Sequence, residues 1–484
     1  MQRVKVTDRT SKLVMGENFS NSSDDQHSLQ DATGVIALDY SAWRQEQNLA
    51  YPYLGVLHPW SSGKAPRCVA LPETTAQLAA VMTYCAAQKW RVVPCGNGTK
   101  LDWGGVISDA DVLISTARLN QIVEHCVGDL TVTAAAGVRF ADLQQTLGGA
   151  GQFWAIDPTF GTQATIGGIL ATADTNTLRH RYNNVRDMVL GIEFVRADGA
   201  ISHAGGRVVK NVAGYDLMKL LTGSYGTLGI ITEVTLRLYP VLGTTRTLLL
   251  TGQWQNLAQL RRLVARSGLS PVVMALVNAQ MWHTWQEQGW QESIGQQAGI
   301  VVQFAGLANS VQQQQDELAQ LATAHNLQVT ALDYPTVASL TEHLQQVLWQ
   351  SWGDSSDTEL ASGIWCKVGI LPEQISLVMP QWDNLFGNAG YRALINSSSG
   401  LGTLHIKGEV VQSHSVDAMG ELLLKARAQT VAAEGFLTIL RSSIAYKQAV
   451  EPWGYDGGVA VMSQIRQKFD PERLLSYGRL FADH

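Results

Sequence analysis

The chain has no run of about 18 apolar residues, and its opening stretch lacks the apolar core of a signal peptide; both absences exclude a membrane-spanning helix and point to a cytoplasmic protein. Charge is sparse. Only 16% of the residues are charged, the formal net charge is -6, and no basic stripe occurs, so a nucleic-acid partner is excluded. Cysteine is scarce too. Cys68, Cys85, Cys95, Cys126 and Cys366 stand apart without a CxxC spacing. The sequence therefore offers no internal iron–sulfur cluster, zinc site or disulfide framework, and the thiols read as reduced and packed.

What is present is glycine, 45 residues of it, together with 14 tryptophans in a chain of 484. At roughly 100–200 residues per domain, two or three domains follow. Residues 1–33 are rich in Ser, Asp, Asn and Gln and read as a flexible arm. After it, "ETTAQLAAVMTYCAAQK" sets Leu78, Val81, Met82 and Cys85 at helical spacing behind a Thr cap. A strand–helix–strand rhythm continues, with a hairpin expected in "MVLGIEFVRADGAI" and a long strand in "GIITEVTLRLYP". The composition shifts near residue 241. Beyond it, Gln- and Leu-rich amphipathic helices alternate with apolar strands, which predicts a second domain with an antiparallel sheet covered by helices, over 242–450. The fold class is α+β.

Three glycine-rich loops stand out. "VPCGNGTKLDWGG", residues 93–105, follows a strand but has neither the G-x-G-x-x-G fingerprint nor the G-x-x-x-x-G-K-S/T phosphate loop. Gly96 and Gly98 flank Asn97 and lead to Thr99 and Lys100; such glycines let backbone N–H groups converge on an anionic pyrophosphate. Alone, this loop is more simply an ordinary turn between strands. "DPTFGTQATIGG" at 157–168 and "GGRVVKNVAGYDLMKLLTGSYGTLGIITEV" at 205–234 make a second and a third. Three such loops in one α+β domain make sense if an extended dinucleotide lies across it.

These segments, with "RYNNVRDMVLGIEFVRADG", resemble the PCMH-type FAD-binding domain of the vanillyl-alcohol oxidase / p-cresol methylhydroxylase superfamily. Within it the likeness is to the FAD-binding (E) subunits of bacterial glycolate oxidase. The resemblance implies a two-subdomain FAD-binding domain over 34–241, and the "FDP…GR"-like tail implies that 451–484 returns to it. It places the pyrophosphate loop on Pro94, Cys95, Gly96, Asn97, Gly98, Thr99 and Lys100, the second flavin loop on Pro158, Thr162, Thr165, Gly167 and Gly168, and the adenine end near Gly229 and Ile231. Asn183 stands where Gly is usual. No "GGH"-type attachment histidine occurs, which implies noncovalent FAD.

Relatives that oxidise D-2-hydroxy acids carry an HxGDGNxH metal motif; here "LHIKGEVVQSH" takes its place, so no metal is expected. In "TLHIKGEV", Thr403, His405, Lys407 and Glu409 alternate with Leu404, Ile406 and Gly408 and would share one strand face. The plain explanation is a solvated face of an antiparallel strand. The sharper one makes His405 the acid/base and Lys407 the carboxylate anchor over the flavin, with Arg441 as a further anchor or, more simply, a surface arginine. His125, His180 and His203 show no ligand spacing. The resemblance implies a flavin subunit that oxidises glycolate or D-lactate by hydride transfer to flavin N5. Its partners would be an iron–sulfur electron-transfer subunit and a second flavin subunit. A self-sufficient 2-hydroxy-acid or alcohol oxidoreductase and a non-catalytic flavoprotein scaffold are the alternatives.

Overall fold

The computed structural model describes residues 22–50, 66–207, 214–282, 297–349, 363–387, 390–454 and 457–480. Residues 208–213, inside the third glycine-rich segment, and residues 1–21 of the expected arm lie outside them. The rest of that arm is not an arm. Ser22–Thr33 is a helix with Leu29 fully buried, and Arg67 reaches Asp25 beside it at 2.6 Å. Its polar composition conceals a single apolar anchor.

The first lobe holds two main sheets and a two-stranded ribbon, Gln152–Phe153 with Tyr239–Pro240. Val92–Cys95 and Cys68–Ala70 both pair in parallel with Val112–Ser115. The helix Thr75–Gln88 packs on them because Leu78, Val81, Met82 and Cys85 recur on one face; Thr74 caps its start by accepting from Gln77 N–H. A five-stranded antiparallel sheet follows, with Ile230–Arg237 central between Thr131–Ala135 and Val189–Val195. The expected hairpin joins Val189–Val195 to Ile201–Gly205 through Asp198-Gly199, where Gly199 has φ +84°.

The second lobe is an eight-stranded antiparallel sheet. Its inner strands include Tyr391–Asn396, Leu401–Ile406 and Ile364–Gly369, and Phe436–Arg441 forms one edge. Side chains alternate across it. Ile364, Cys366 and Val368 pack with Met379, Leu423 and Ala426 of two covering helices. Trp365 and Lys367 take the other face, where Trp365 meets Trp103 and Phe160 of the first lobe, edge-on, at 6.2 and 6.3 Å between ring centroids. Elsewhere on that face Ala275, Val301 and Leu394 share one apolar cluster with Ile169, Tyr182 and Val234. The two lobes are thus fused through core at one end and meet through polar groups at the other.

The chain end closes the structure. After the helix Val459–Phe469, the following residues run along Val92–Cys95: Val92 N–H donates to Leu474 O at 2.7 Å and Ser476 N–H to Val92 O at 2.8 Å. Asp470, fully buried, holds the turn by accepting from Leu474 and Leu475 N–H at 2.9 and 2.7 Å. Asp470→Ala strands both amides, so a loss of roughly 2–4 kcal/mol is expected in urea unfolding; a change below about 0.5 kcal/mol would show that the turn does not rest on this carboxylate.

Candidate functional site

The strand Val92–Cys95 delivers the first glycine loop to a cleft. Residues 94–101 line one wall, Thr165, Gly167 and Gly168 a second, and Gly229, Ile230 and Ile231 a third. The loop's carbonyls are turned aside: Ser115 Oγ donates to Gly96 O at 2.9 Å and Thr116 Oγ1 to Cys95 O at 3.2 Å. Among the described residues, the backbone N–H groups of Gly96, Asn97, Gly98, Thr99 and Lys100 donate to no protein acceptor. Five consecutive unpaired donors in a cleft form an anion cradle. Glycine is required in it twice. A Cβ on Gly96 would lie 2.0 Å from Thr165 Oγ1, and Gly98 has φ +76°. Asn97 Nδ2 ties this loop to the second by donating to Gln163 O at 2.8 Å. The cradle fits the phosphates of a dinucleotide.

Three expected residues do other work. Lys100 lines the cleft, but its ammonium is buried against Asp174 at 2.7 Å, and Asp174 also accepts from Thr159 N–H at 2.8 Å. Burial lowers the Lys100 pKa and Asp174 opposes the shift. Lys100 therefore fastens the loop, and the amides meet the anion. Pro158 and Thr162 do not line the cleft. They face a separate cavity, because Asp157 is pinned by Asn176, Thr177 and Leu178 N–H and the chain beyond it bulges to the opposite side. Asn183, where Gly was expected, adopts φ 67° and ψ -153°, a conformation nearly reserved for glycine. Cys95 is inert, its thiol pushed up to about 12 by burial.

The polar face of the large sheet lies across the seam from the first lobe, where Trp365 meets Trp103 and Phe160, and none of the described residues lining the cleft belongs to it. Leu401–Ile406 ends before Lys407, which caps the short helix Gly408–Gln412, so Thr403 and His405 share a face but Lys407 and Glu409 do not join it. A turn to helix breaks the alternation. His405 lies across from Trp365 and Arg392 on neighbouring strands. Burial, then the charges of Arg392, Lys407 and Arg441, push its pKa down to about 3. The imidazole is neutral, chiefly because it is buried, and the three cations add to the depression. Arg441 is no surface residue: it is 3% exposed and its Nε meets Asp102 at 2.5 Å. Lys447 Nζ donates to the carbonyls of Asp102, Gly104 and Leu440, with its pKa lowered to about 7, mainly by burial. On the same sheet face, burial and then Arg179 lower Lys367 to about 8, against Asp174.

Sequence reasoning missed Arg392, Lys367, Lys447, Asp102 and Arg479. Arg479 lines the cleft from the chain end and donates to Trp103 O at 2.5 Å. Asp102 and Arg479 sat inside quoted motifs; the others carried no local signal. Among the described residues no group of three His, Cys, Asp or Glu side chains is placed to hold a metal, and no helix is long and apolar enough to cross a membrane.

Residues 66–205 match the FAD binding domain family. Glycolate oxidase subunit GlcD of Bacillus subtilis is 36% identical over 184 residues, 38% of this chain and 39% of that protein. A probable mitochondrial D-lactate dehydrogenase of Danio rerio is 36% identical over 181 residues, 37% of this chain and 36% of the relative. These matches span less than two fifths of either relative. The mitochondrial D-lactate dehydrogenase (cytochrome) of Kluyveromyces lactis aligns over 443 residues at 25% identity, 88% of this chain and 75% of its own. Among solved structures, a chitooligosaccharide oxidase superposes with a TM-score of 0.66 at 14% identity, over 95% of this chain and 99% of that one. An alkyldihydroxyacetonephosphate synthase gives 0.63 at 14% identity, over 86% and 78%. The fold is shared along nearly the whole chain. This protein carries an FAD-binding domain, and its cofactor is FAD.

Two outcomes follow from the geometry. Gly96→Ala drives a methyl into Thr165 and parts the two loops, so flavin-fluorescence titration should show FAD affinity falling roughly 10-fold or more. Gly128→Ala, which meets nothing within 4 Å, is the control. Unchanged affinity in Gly96→Ala would remove this loop from the cofactor. The second outcome concerns pH. Between pH 3 and 6.5 only the unfolded chain protonates His405, so that imidazole costs stability as pH falls through this window. Asp157, raised to about 6 by burial, acts in the opposite sense. Between pH 6.5 and about 4.5, the melting temperature of the wild type should therefore fall more steeply than that of His405→Asn; parallel slopes would show that the folded chain does not depress this imidazole.

Proposed function

We propose that this chain oxidises a 2-hydroxy acid with FAD, as the flavin subunit of a complex that passes electrons to an iron–sulfur partner. The observation that carries the reading is an anion cradle in the first lobe together with a cation-rich sheet face across the seam from it. His405 stands there amid Arg392, Lys407 and Arg441, where a carboxylate is drawn in by charge. Bound FAD would accept the hydride equivalent of the C–H bond that is oxidised. The chain's own residues bind, orient and move a proton. Asp102 fixes the plane of the Arg441 guanidinium, and Arg441 lines the cavity beside the cleft, so a carboxylate can be gripped in one orientation. A carboxylate seated there cancels part of the field that depresses His405. Its Nδ1 or Nε2 becomes a better base and can take the hydroxyl proton. Lys407 adds to the positive charge around the imidazole.

Supporting the subunit reading, the five cysteines lie on separate elements, so a cluster would be a partner's. Supporting noncovalent attachment, no described residue lining the cleft is a histidine, and Cys95 is held as a thiol. Acid precipitation of the yellow protein should release all its flavin; flavin left in the pellet would refute noncovalent binding. Anaerobic titration with glycolate and D-lactate should bleach the flavin. His405→Asn is expected to slow reduction ~10²–10⁴-fold, and Arg441→Ala chiefly to raise KM. A wild type inert to these and to longer 2-hydroxy acids alike, or variants that reduce at the wild-type rate, would overturn the assignment.

A further inference from the structure

The segment 157–168 has two faces. One borders the cofactor cleft; the other borders a cavity of about 720 Å³ closed on its far side by the helix Val337–Trp349. Glycolate or lactate has about half a dozen non-hydrogen atoms, whereas at ~30 Å³ per water-sized group this space admits roughly twenty. A small hydroxy acid leaves most of it unfilled.

Its chemistry is uneven. Phe140, Phe153, Ile156, Phe160 and Leu178 supply apolar surface, and the helix adds Thr341 and uncharged amides. Among the described lining residues Arg441 is the only cation. Of the two acidic residues, Asp157 is engaged by three backbone amides and by Thr177 Oγ1 at 2.5 Å, and Glu342 would disfavour a second anionic group at the helix end of the cavity. A ligand suited to the cavity carries one anionic end for Arg441 and an extended uncharged remainder. A second carboxylate would meet no described cation there and would lose its hydration without recompense.

Phe160 gives an independent sign that the space is built. It holds φ +55°, a conformation that a bulky side chain adopts only under constraint. In it, the ring lines the cavity while remaining edge-on to Trp365 of the sheet wall. The backbone is strained at a residue that joins the cavity to the sheet face.

We propose that this cavity is a side-chain subsite that selects monocarboxylic 2-hydroxy acids with long aliphatic or aromatic substituents over glycolate, D-lactate and dicarboxylic hydroxy acids. The inference rests on the oxidation reading above for its reaction, and on the cavity alone for its binding. The test uses the FAD-loaded full chain and unreactive carboxylates: acetate, hexanoate, 3-phenylpropanoate and glutarate, followed by calorimetry and by the flavin absorption spectrum. Affinity should rise at least 10-fold from acetate to hexanoate or 3-phenylpropanoate, as burial of several methylenes requires, and glutarate should bind more weakly than hexanoate. Ala338→Trp and Thr341→Trp, each checked for retained FAD, should bring the ratio of 3-phenylpropanoate to acetate affinity towards one. Affinity independent of chain length, or ratios unchanged in both variants, would overturn the subsite. Turnover separates the two readings. If long carboxylates bind as expected while D-phenyllactate, D-2-hydroxyhexanoate and glycolate all leave the flavin oxidised, the subsite stands and the oxidation reading falls.

Discussion

Asp102 and Arg441 meet at 2.5 Å in the seam between the lobes, and the site depends on that contact. Two charges withdrawn from water cost several kcal/mol each unless each finds its partner, and removing one partner of a buried pair typically costs about 3–5 kcal/mol. The pair therefore admits one arrangement of the lobes. Lys447 reinforces it, bonding the carbonyls of Asp102 and Gly104 on one side and Leu440 on the other. Asp102 follows the cofactor loop by two residues, and Arg441 ends the edge strand of the sheet wall. The glycine loop and the polar sheet face are thus held in one rigid frame, as the proposed reaction between two bound partners would require.

Around that knot the charges are arranged by function. Where the chain must be rigid, cations are matched: Lys100 with Asp174, Arg441 with Asp102. Around the neutral imidazole of His405, Arg392 and Lys407 add charge to that of the matched Arg441, and on the proposed reading an anion would enter there. His405 is depressed first by burial and then by Arg392, Lys407 and Arg441; on the proposed reading, a carboxylate drawn in by those cations would relieve part of that depression. Glycine plays the corresponding part for the cofactor, leaving N–H groups aimed into the cleft at the cost of a backbone only glycine tolerates.

Much was legible locally. The helix at Thr75–Gln88, its cap, the Asp198-Gly199 hairpin and the convergence of three glycine loops follow from period and turn chemistry, which act over a few residues. The nature of the cofactor could be read from those loops and their family likeness for the same reason: phosphate is met by backbone, and backbone geometry is written in glycine spacing.

What only tertiary structure decided is where the charged side chains go. Lys407 left the face of His405 because the strand stops at Ile406, and Pro158 and Thr162 turned from the cleft because Asp157 is pinned from residues 176–178. Lys447 reaches a carbonyl 345 positions away, a pairing for which local sequence holds no sign. By itself the sequence determined the elements, the cofactor loops and the class of fold. Folding decided the identity of the cationic wall, the neutrality of His405 and the cavity behind the second loop, because desolvation and charge pairing depend on distance in space and not along the chain.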